Sequence, residues 1–308
     1  GLEVEHEGKT LRYKANKGVY FGVGGFANNK EWREKYHGIP GWSVANPDDQ
    51  GDGIVMGEEV GAALDLMDDA WWGAGLPNPD LENRGGFAVW ERSMPHSIMV
   101  DAEGNRYANE SESYVDLGHH ILENNKKTGT IPTWLVVDQR HIKRYLFSGT
   151  LGAKQKYIDR GWLVEADTIE ELAKKINVNP EGLKATIEKF NGYAKTGKDL
   201  DFKRGDSAYD NYYSDPWLKP NPNLGTIEKG PFRAYYFVPT DLGTKGGLVT
   251  DEHARVLDKD GKVIEGFYSG GNTTASVMGR TYPGPGATIG PALTFGWLAG
   301  EHAAGKSK

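Results

Sequence analysis

The sequence predicts an α/β chain whose strands feed glycine-rich turns, and three observations carry that reading. Two apolar strands, around Val19–Val23 and Phe267–Tyr268, each run into paired glycines, Gly24-Gly25 and Gly270-Gly271. Helices with explicit start signals are set among strand-like runs, as at Thr168-Ile169-Glu170-Glu171 and Asn179-Pro180. Near the end, a small-residue helix from about Ala287 to Ala303 follows the Pro/Gly turn Tyr282-Pro283-Gly284-Pro285-Gly286. Backbone N–H groups at such a helix start are unpaired, and the dipole there favours negative charge. Strand, glycine turn, loop and helix start together suit a phosphate- or cofactor-facing site. A buried helix behind a glycine-rich loop is the plain alternative.

Composition narrows the classes. The chain has 308 residues, 38% of them hydrophobic, so a sizeable core can form. Net charge is −7, from 36 basic and 43 acidic residues mixed along the chain, which leaves no electrostatic footprint for nucleic acid. No run of 18 apolar residues exists to span a membrane. The absence of cysteine excludes disulfides, thiolate nucleophiles and cysteine metal sites, and allows a cytoplasmic setting; no metal is expected. The 42 glycines are about twice the usual share of ~7%, clustered at turns rather than spread as low complexity. The chain starts at Gly1 in what reads as mid-domain strand, with no visible targeting peptide. A fragment or a processed chain is the expectation.

In chain order, Leu2–Val4 and Thr10–Ala15 read as short strands around the His6-Glu7-Gly8 turn, and Asn28 to Tyr36 as a short helix. Gly51-Asp52-Gly53 opens an amphipathic helix expected to run from Ile54 to Met67, with Asp52 either its N-cap or a ligand contact. Ser97–Val100 is a strand, Asp101–Arg106 a hairpin turn, and a helix follows from Ser113 to Asn124 with Tyr114 at its start. Pro132–Asp138 and Gly230–Val238 are further strands, and Phe202 to Pro222 is mostly loop. Gly243 to Thr250 reads as a glycine-rich loop entering a strand. A hairpin at Ala254–Leu257 and Val263–Ile264 turns at Asp258-Lys259-Asp260-Gly261.

The order of these pieces resembles the flavoprotein superfamily of fumarate reductases and 3-ketosteroid dehydrogenases. Leu64–Trp72 (LDLMDDAWW), Arg106–Ser111 (RYANES), Asp241–Leu248 (DLGTKGGL) and above all Thr281–Gly290 (TYPGPGATIG) are similar to the 3-ketosteroid Δ1-dehydrogenases. The resemblance covers nearly the whole chain. It implies the C-terminal part of a Rossmann-like FAD-binding domain interrupted by an α+β catalytic domain. The expected division is residues 1–75 and 244–308 for the FAD-binding domain and 76–243 for the substrate domain. It also implies that a GxGxxG strand–helix unit and a further tyrosine belong to an N-terminal half that this chain does not show.

Implied by the resemblance, FAD is the cofactor. Gly24 and Gly25 would lie near it, Asp52 on the dinucleotide, Gly271 and Asn272 along the ribityl chain, and Thr288 and Ile289 at the flavin pyrimidine. The implied substrate is a 3-ketosteroid, oxidised at C1–C2. The Tyr282 hydroxyl and the Gly286 N–H would grip the 3-keto oxygen, and Tyr114 would take the C2 proton. An unperturbed phenol titrates near pKa ~10, so a tyrosine base needs help at neutral pH. Packing tyrosines are the plain alternative for both. Asn272 stands where fumarate reductases place an acid, and Lys245 and His253 do not reproduce their acid–base set, which argues against dicarboxylate reduction. A Δ4-dehydrogenase of the same fold and a truncated, non-catalytic chain are the competing readings. The implied partners are a small-molecule steroid, an unspecified electron acceptor and the remaining half of the flavoprotein.

Overall fold

The computed structural model describes residues 1–306, which form two compact units. The first comprises residues 1–41, 45–71 and 242–308, and the second residues 42–44 and 72–241. The short excursion at 42–44 is held by Ser43, whose hydroxyl donates to Asp241 at 2.7 Å.

The first unit begins with a hairpin, β1 (Leu2–His6) and β2 (Lys9–Tyr13), paired from Leu2↔Tyr13 to His6↔Lys9. Glu7 and Gly8 both have positive φ, the backbone that a two-residue hairpin turn requires. β3 (Val19–Phe21) follows, then α1 (Lys30–Trp32), whose N-cap Asn29 accepts from Trp32 N at 3.0 Å. A π turn over Arg33–His37 extends that helix to Gly38.

α2 spans Asp52–Glu59, eight residues rather than the fourteen expected. Gly61, at φ +91°, turns the chain away, and Leu64–Asp65 form β4 instead. The N-cap is Gly51 in the left-handed region, which corrects the reading of Asp52 as the cap; Asp52 lies in the first turn with its side chain exposed.

The second unit is built on a six-stranded sheet. Its strands are β5 (Ala70–Pro77, the first two residues belonging to the first unit), β6 (Gly85–Phe87), β7 (Ser97–Val100), β8 (Thr133–Val137), β9 (Leu163–Ala166) and β10 (Phe232–Thr244). The order is β6-β5-β10-β8-β7, with β9 also on β10. Alternation assigns the two faces. Ile98, Val100, Val136 and Ala234 join one cluster, and Met99, Leu135, Val137 and Phe237 join the other. α3 (Tyr114–Thr128) supplies Leu117 and Ile121 to the second cluster. α4 (Gln139–Arg144) and α5 (Lys154–Asp159) follow β8. α6 (Ile169–Lys175) and α7 (Pro180–Thr196) cover the first cluster through Leu172, Leu183, Ile187 and Phe190. α8 (Ala208–Tyr212) is the one helix in the aromatic-rich stretch before β10. The Asp101–Arg106 turn closes as expected, with Asn105 O accepting from Asp101 N at 3.1 Å, but no strand follows it.

That strandless segment enters a buried ion network. Arg106 pairs with Glu110 at 2.7 Å and Asp199 at 2.9 Å, and Arg204 reaches Glu110 at 3.1 Å. Burial pushes the Glu110 carboxyl up, but Arg106 and Arg204 outweigh it and hold it below the usual carboxylate range.

The chain returns to the first unit through the end of β10, so Gly243 and Thr244 are strand rather than loop. β11 (Gly247–Leu248) pairs with β4. β12 (Arg255–Leu257) and β13 (Val263–Ser269) form the expected hairpin, and β3 joins β13 in parallel, Phe267 opposite Val19. α9 (Ile289–Ala303) closes the unit. Phe21, Ala62, Leu248, Val256 and Phe267 make its core.

Candidate functional site

The glycine pairs at the ends of β3 and β13 fall within one unit, joined by the parallel register of those strands. Thr273 ties the two turns together: its hydroxyl accepts from Val23 N at 3.0 Å and donates to Gly24 O at 2.9 Å. Gly24, at φ +80°, has Asp49 against it, where a Cβ would lie 2.2 Å from the carboxylate. A Cβ at Gly25 would lie 2.0 Å from the Thr244 hydroxyl. Both glycines are therefore required by packing within the turn, whatever else they face.

Gly271 is different. Its φ is +67°, and a Cβ there would meet only the Ala292 methyl at 3.6 Å. The backbone here is open to a cavity of about 430 Å³ lined by Trp71, Thr244, Gly271, Asn272, Ala287 and Thr288, among others. Thr288 is the N-cap of α9 and makes no side-chain cap bond. Asn272 is fixed by the Trp71 indole, whose N–H donates to its Oδ1 at 3.1 Å. Glycine backbone, a fixed amide and a helix start around one cavity fit the polar edge of an isoalloxazine ring and its side chain. Gly271, Asn272 and Thr288 thus come together; Ile289, the next residue, is largely exposed. Gly24, Gly25 and Asp52 lie in the same unit but do not line this cavity.

Pro283 to Gly286 border a second groove, of about 420 Å³, lined also by Val277, Met278 and Phe295; Tyr282 is not among the lining residues. The groove shares Val277, Ala287, Pro291 and Phe295 with the cavity beside it. Gly286, at φ +98°, has nothing within 4 Å of where a Cβ would be. Tyr282 is half-buried, its ring edge-on to Trp71 at 6.0 Å.

One residue that the sequence marked only as a departure from the fumarate reductases anchors this turn. Lys245 is wholly buried. Its ammonium donates to Thr281 O at 3.0 Å, lies 3.5 Å from Asp69, and sits 4.7 Å from the Trp71 ring centroid. The carbonyl next to Tyr282 is thereby clamped to the Asp69–Trp71 segment. Both halves of the clamp stand in motifs already singled out, LMDDAWW and DLGTKGGL, but only the fold shows that they meet.

Tyr114 belongs to the second unit. It is the first residue of α3, behind the N-cap Ser113, and its ring packs edge-on against Phe87 at 5.6 Å. It is buried.

Comparison with known proteins follows this geometry. The family described as FAD binding domain matches residues 1–289. The 3-oxosteroid 1-dehydrogenase of Mycolicibacterium smegmatis is 48% identical over 297 residues, which is 93% of this chain and 52% of that protein. The 4-oxocyclohexanecarboxylate 2-dehydrogenase of Sinomonas cyclohexanicum is 39% identical, covering 96% of this chain and 52% of that one. Among solved structures, the 3-ketosteroid Δ1-dehydrogenase of Sterolibacterium denitrificans, in complex with 1,4-androstadiene-3,17-dione, superposes with a TM-score of 0.93 at 41% identity. It covers all of this chain and 56% of that one. The chain thus spans about half the length of the relatives it matches.

Proposed function

Since this chain belongs to the FAD binding domain family, we propose that it carries the ketone-gripping part of an enzyme that desaturates the C1–C2 bond of a 3-ketosteroid. The observation that carries the reading is the Pro283–Gly286 segment next to Tyr282, set on an apolar groove that shares a wall with the cavity proposed for the flavin. Gly271, Asn272 and Thr288 would hold FAD, which would supply the acceptor for the C1 hydride.

The chain's own groups do the rest. The Tyr282 hydroxyl and the Gly286 N–H donate to the 3-keto oxygen, which makes the C2 proton acidic and stabilises negative charge as it develops on oxygen. Glycine at 286 lets the main chain approach the ketone without a Cβ in the way. Tyr114 takes the C2 proton as general base. Lys245 positions the turn, and Asn272 is held on the cofactor side by Trp71. The apolar groove walls offer contact to the ring system.

The relatives named for steroid and oxocyclohexane dehydrogenation share oxidation beside a ring ketone, which supports the ketone grip as the common element. A second reading, Δ4-desaturation on the same scaffold, differs in the bond attacked. The test supplies the chain, together with the remaining half of the flavoprotein, with FAD, a 3-ketosteroid saturated at C1–C2 and an artificial electron acceptor. The 1,2-desaturated ketone is the expected product. Desaturation confined to C4–C5 of a 5α-saturated substrate overturns the assignment, and no turnover by a flavin-loaded enzyme overturns it outright.

A further inference from the structure

α8 is held against the segment that leads into α3. Its Asp210 accepts from Asn109 Nδ2 at 3.0 Å and from Gly205 N at 2.9 Å, and its N-cap Ser207 accepts from Asp210 N. Together they border an open groove of about 470 Å³ whose wall includes Glu112, Ser113, Asp116 and Tyr209. Ser113 and Asp116 bracket Tyr114 in sequence, so Tyr209 shares this groove with the start of α3. All of these residues belong to the second unit.

Two polar groups here have bonding capacity to spare. The Tyr209 ring is half-buried, but its hydroxyl is out of water and has no hydrogen-bond partner among the described residues. An orphaned buried hydroxyl is costly, and native folds leave few without a reason. Arg92 is wholly buried. It donates from Nη1 to Glu110 O and from Nη2 to Glu112 O, the latter at 3.0 Å, so it is fixed to carbonyls just ahead of Tyr114 in the chain. Its Nε has no partner among the described residues. A guanidinium keeps its proton inside proteins, so Arg92 is a fixed positive charge, with Glu110, Glu112, Arg204 and Tyr209 in its field. The charged and titratable groups that act on Tyr209 are Arg92, Tyr114, Tyr213 and Asp116. Burial pushes its phenol up to about 12; Arg92 pulls against that rise, and the other three add to it. Tyr209 therefore stays a protonated donor wherever a tyrosine base can work.

We propose that Tyr209 is a positioning residue for the base: its hydroxyl, set in the field of Arg92, favours the Tyr114 phenolate over the phenol. The guanidinium attracts the oxygen end of that hydroxyl and leaves its proton to face a negative charge elsewhere. In a low-dielectric interior such a dipole acts strongly on an anion nearby. The C2 proton still passes to the Tyr114 oxygen; Tyr209 exchanges no proton and touches no substrate. The proposal rests on the reading of Tyr114 as the base and deepens it. A phenol that ordinarily titrates near ~10 finds, within this unit, part of the help it needs at neutral pH. The competing reading gives the Tyr209 hydroxyl no influence on Tyr114.

The test uses the chain together with the remaining half of the flavoprotein, loaded with FAD. Flavin reduction by a 3-ketosteroid is timed from about pH 6 to about pH 10, a span that reaches the ordinary phenol value. Tyr209→Phe is compared with the unaltered protein and with Tyr193→Phe on α7, whose hydroxyl donates to Asp201 instead. Tyr209→Phe is expected to move the acid limb of the profile up by about one pH unit. Reduction then slows about tenfold at pH values below the limb, with the high-pH plateau unchanged. Tyr193→Phe should leave the profile in place. Removing an unpartnered hydroxyl should not lower the melting temperature. A loss spread evenly over all pH values is what a merely structural role gives and overturns the proposal, as does a limb that stays put. A second readout needs no turnover. Phenolate absorbance of the steroid-free protein should show one early-ionising tyrosine, moved to higher pH in Tyr209→Phe and missing in Tyr114→Phe. If limb and early phenolate both survive Tyr114→Phe, the base reading falls and this proposal with it. If both vanish in Tyr114→Phe yet stay unmoved in Tyr209→Phe, this proposal alone is overturned.

Discussion

In the proposed mechanism Tyr282 meets two demands at once, a hydroxyl that donates to the ketone and a ring packed edge-on to Trp71. Tyr282→Phe keeps the ring and removes the donor. In the FAD-loaded enzyme this should lower kcat by about 10²–10³, the usual effect of losing one oxyanion donor, with the flavin spectrum unchanged. Gly286→Ala keeps the N–H but places a Cβ at φ +98°, a strained backbone for alanine. A melting temperature lowered together with kcat is the expected outcome. Lys245→Met removes one partner of a buried ion pair, so a loss of about 3–5 kcal/mol in denaturant unfolding is expected. The strings around Tyr282, Gly286 and Asn272 were legible, and of these residues the structure sets Asn272 on the cavity and Gly286 on the groove. The clamp made by Lys245 was not legible, because its partners Asp69 and Thr281 are distant in sequence and converge only through the pairing of β4 with β11.

Individual helices and strands show which local signals can be trusted. The caps announced at Thr168 and Asn179 accept their backbone bonds, and the structure adds caps at Asn29 and Ser113. Asn179→Ala, which loses bonds to Glu181 N and Gly182 N, should cost about 1 kcal/mol by chemical denaturation. The errors have equally local causes. α2 was read eight residues too long because Ala63, Leu64 and Met67 continue a helical spacing, yet Gly61 takes a left-handed turn and those residues serve a strand and a loop. β10 was cut short at Val238 because Pro239 and Gly243 look like breakers. The buried network of Arg106, Glu110, Asp199 and Arg204 gave no periodic signal at all. Glu110→Gln leaves two buried guanidinium groups short of charge, and a loss of about 3–5 kcal/mol is expected in the same assay.

Across the whole molecule, stability should depend on acid. Burial of His141, tempered by its bond to Glu91 O, lowers its pKa from 6.5 to about 4. The unfolded chain therefore takes up a proton near pH 6.5 and the folded chain only near pH 4, so this term weakens the fold as pH falls between those values. It amounts to about 3 kcal/mol. Urea midpoints at pH 7 and pH 4 read this together with the contribution of His37, which burial lowers from 6.5 to about 3, and His141→Gln, which can keep the bond to Glu91 O, should reduce the difference by about 3 kcal/mol. The two units of the structure correspond to no composition shift in the sequence. The excursion at 42–44 was invisible, since nothing in Trp42-Ser43-Val44 announces the bond to Asp241. The stretch between α7 and β10 looked like a loose cap, with one short helix in it. Its Arg204, however, is wholly buried and donates to Ser97 O at 2.7 Å and to Ser93 O and Met94 O at 3.1 and 3.0 Å. Trypsin needs a basic side chain free to enter its own specificity pocket. Under native conditions it should spare the Arg204–Gly205 bond while the exposed Lys203 beside it stays open to attack, so a single-residue ladder at that point would report how often the guanidinium leaves its socket.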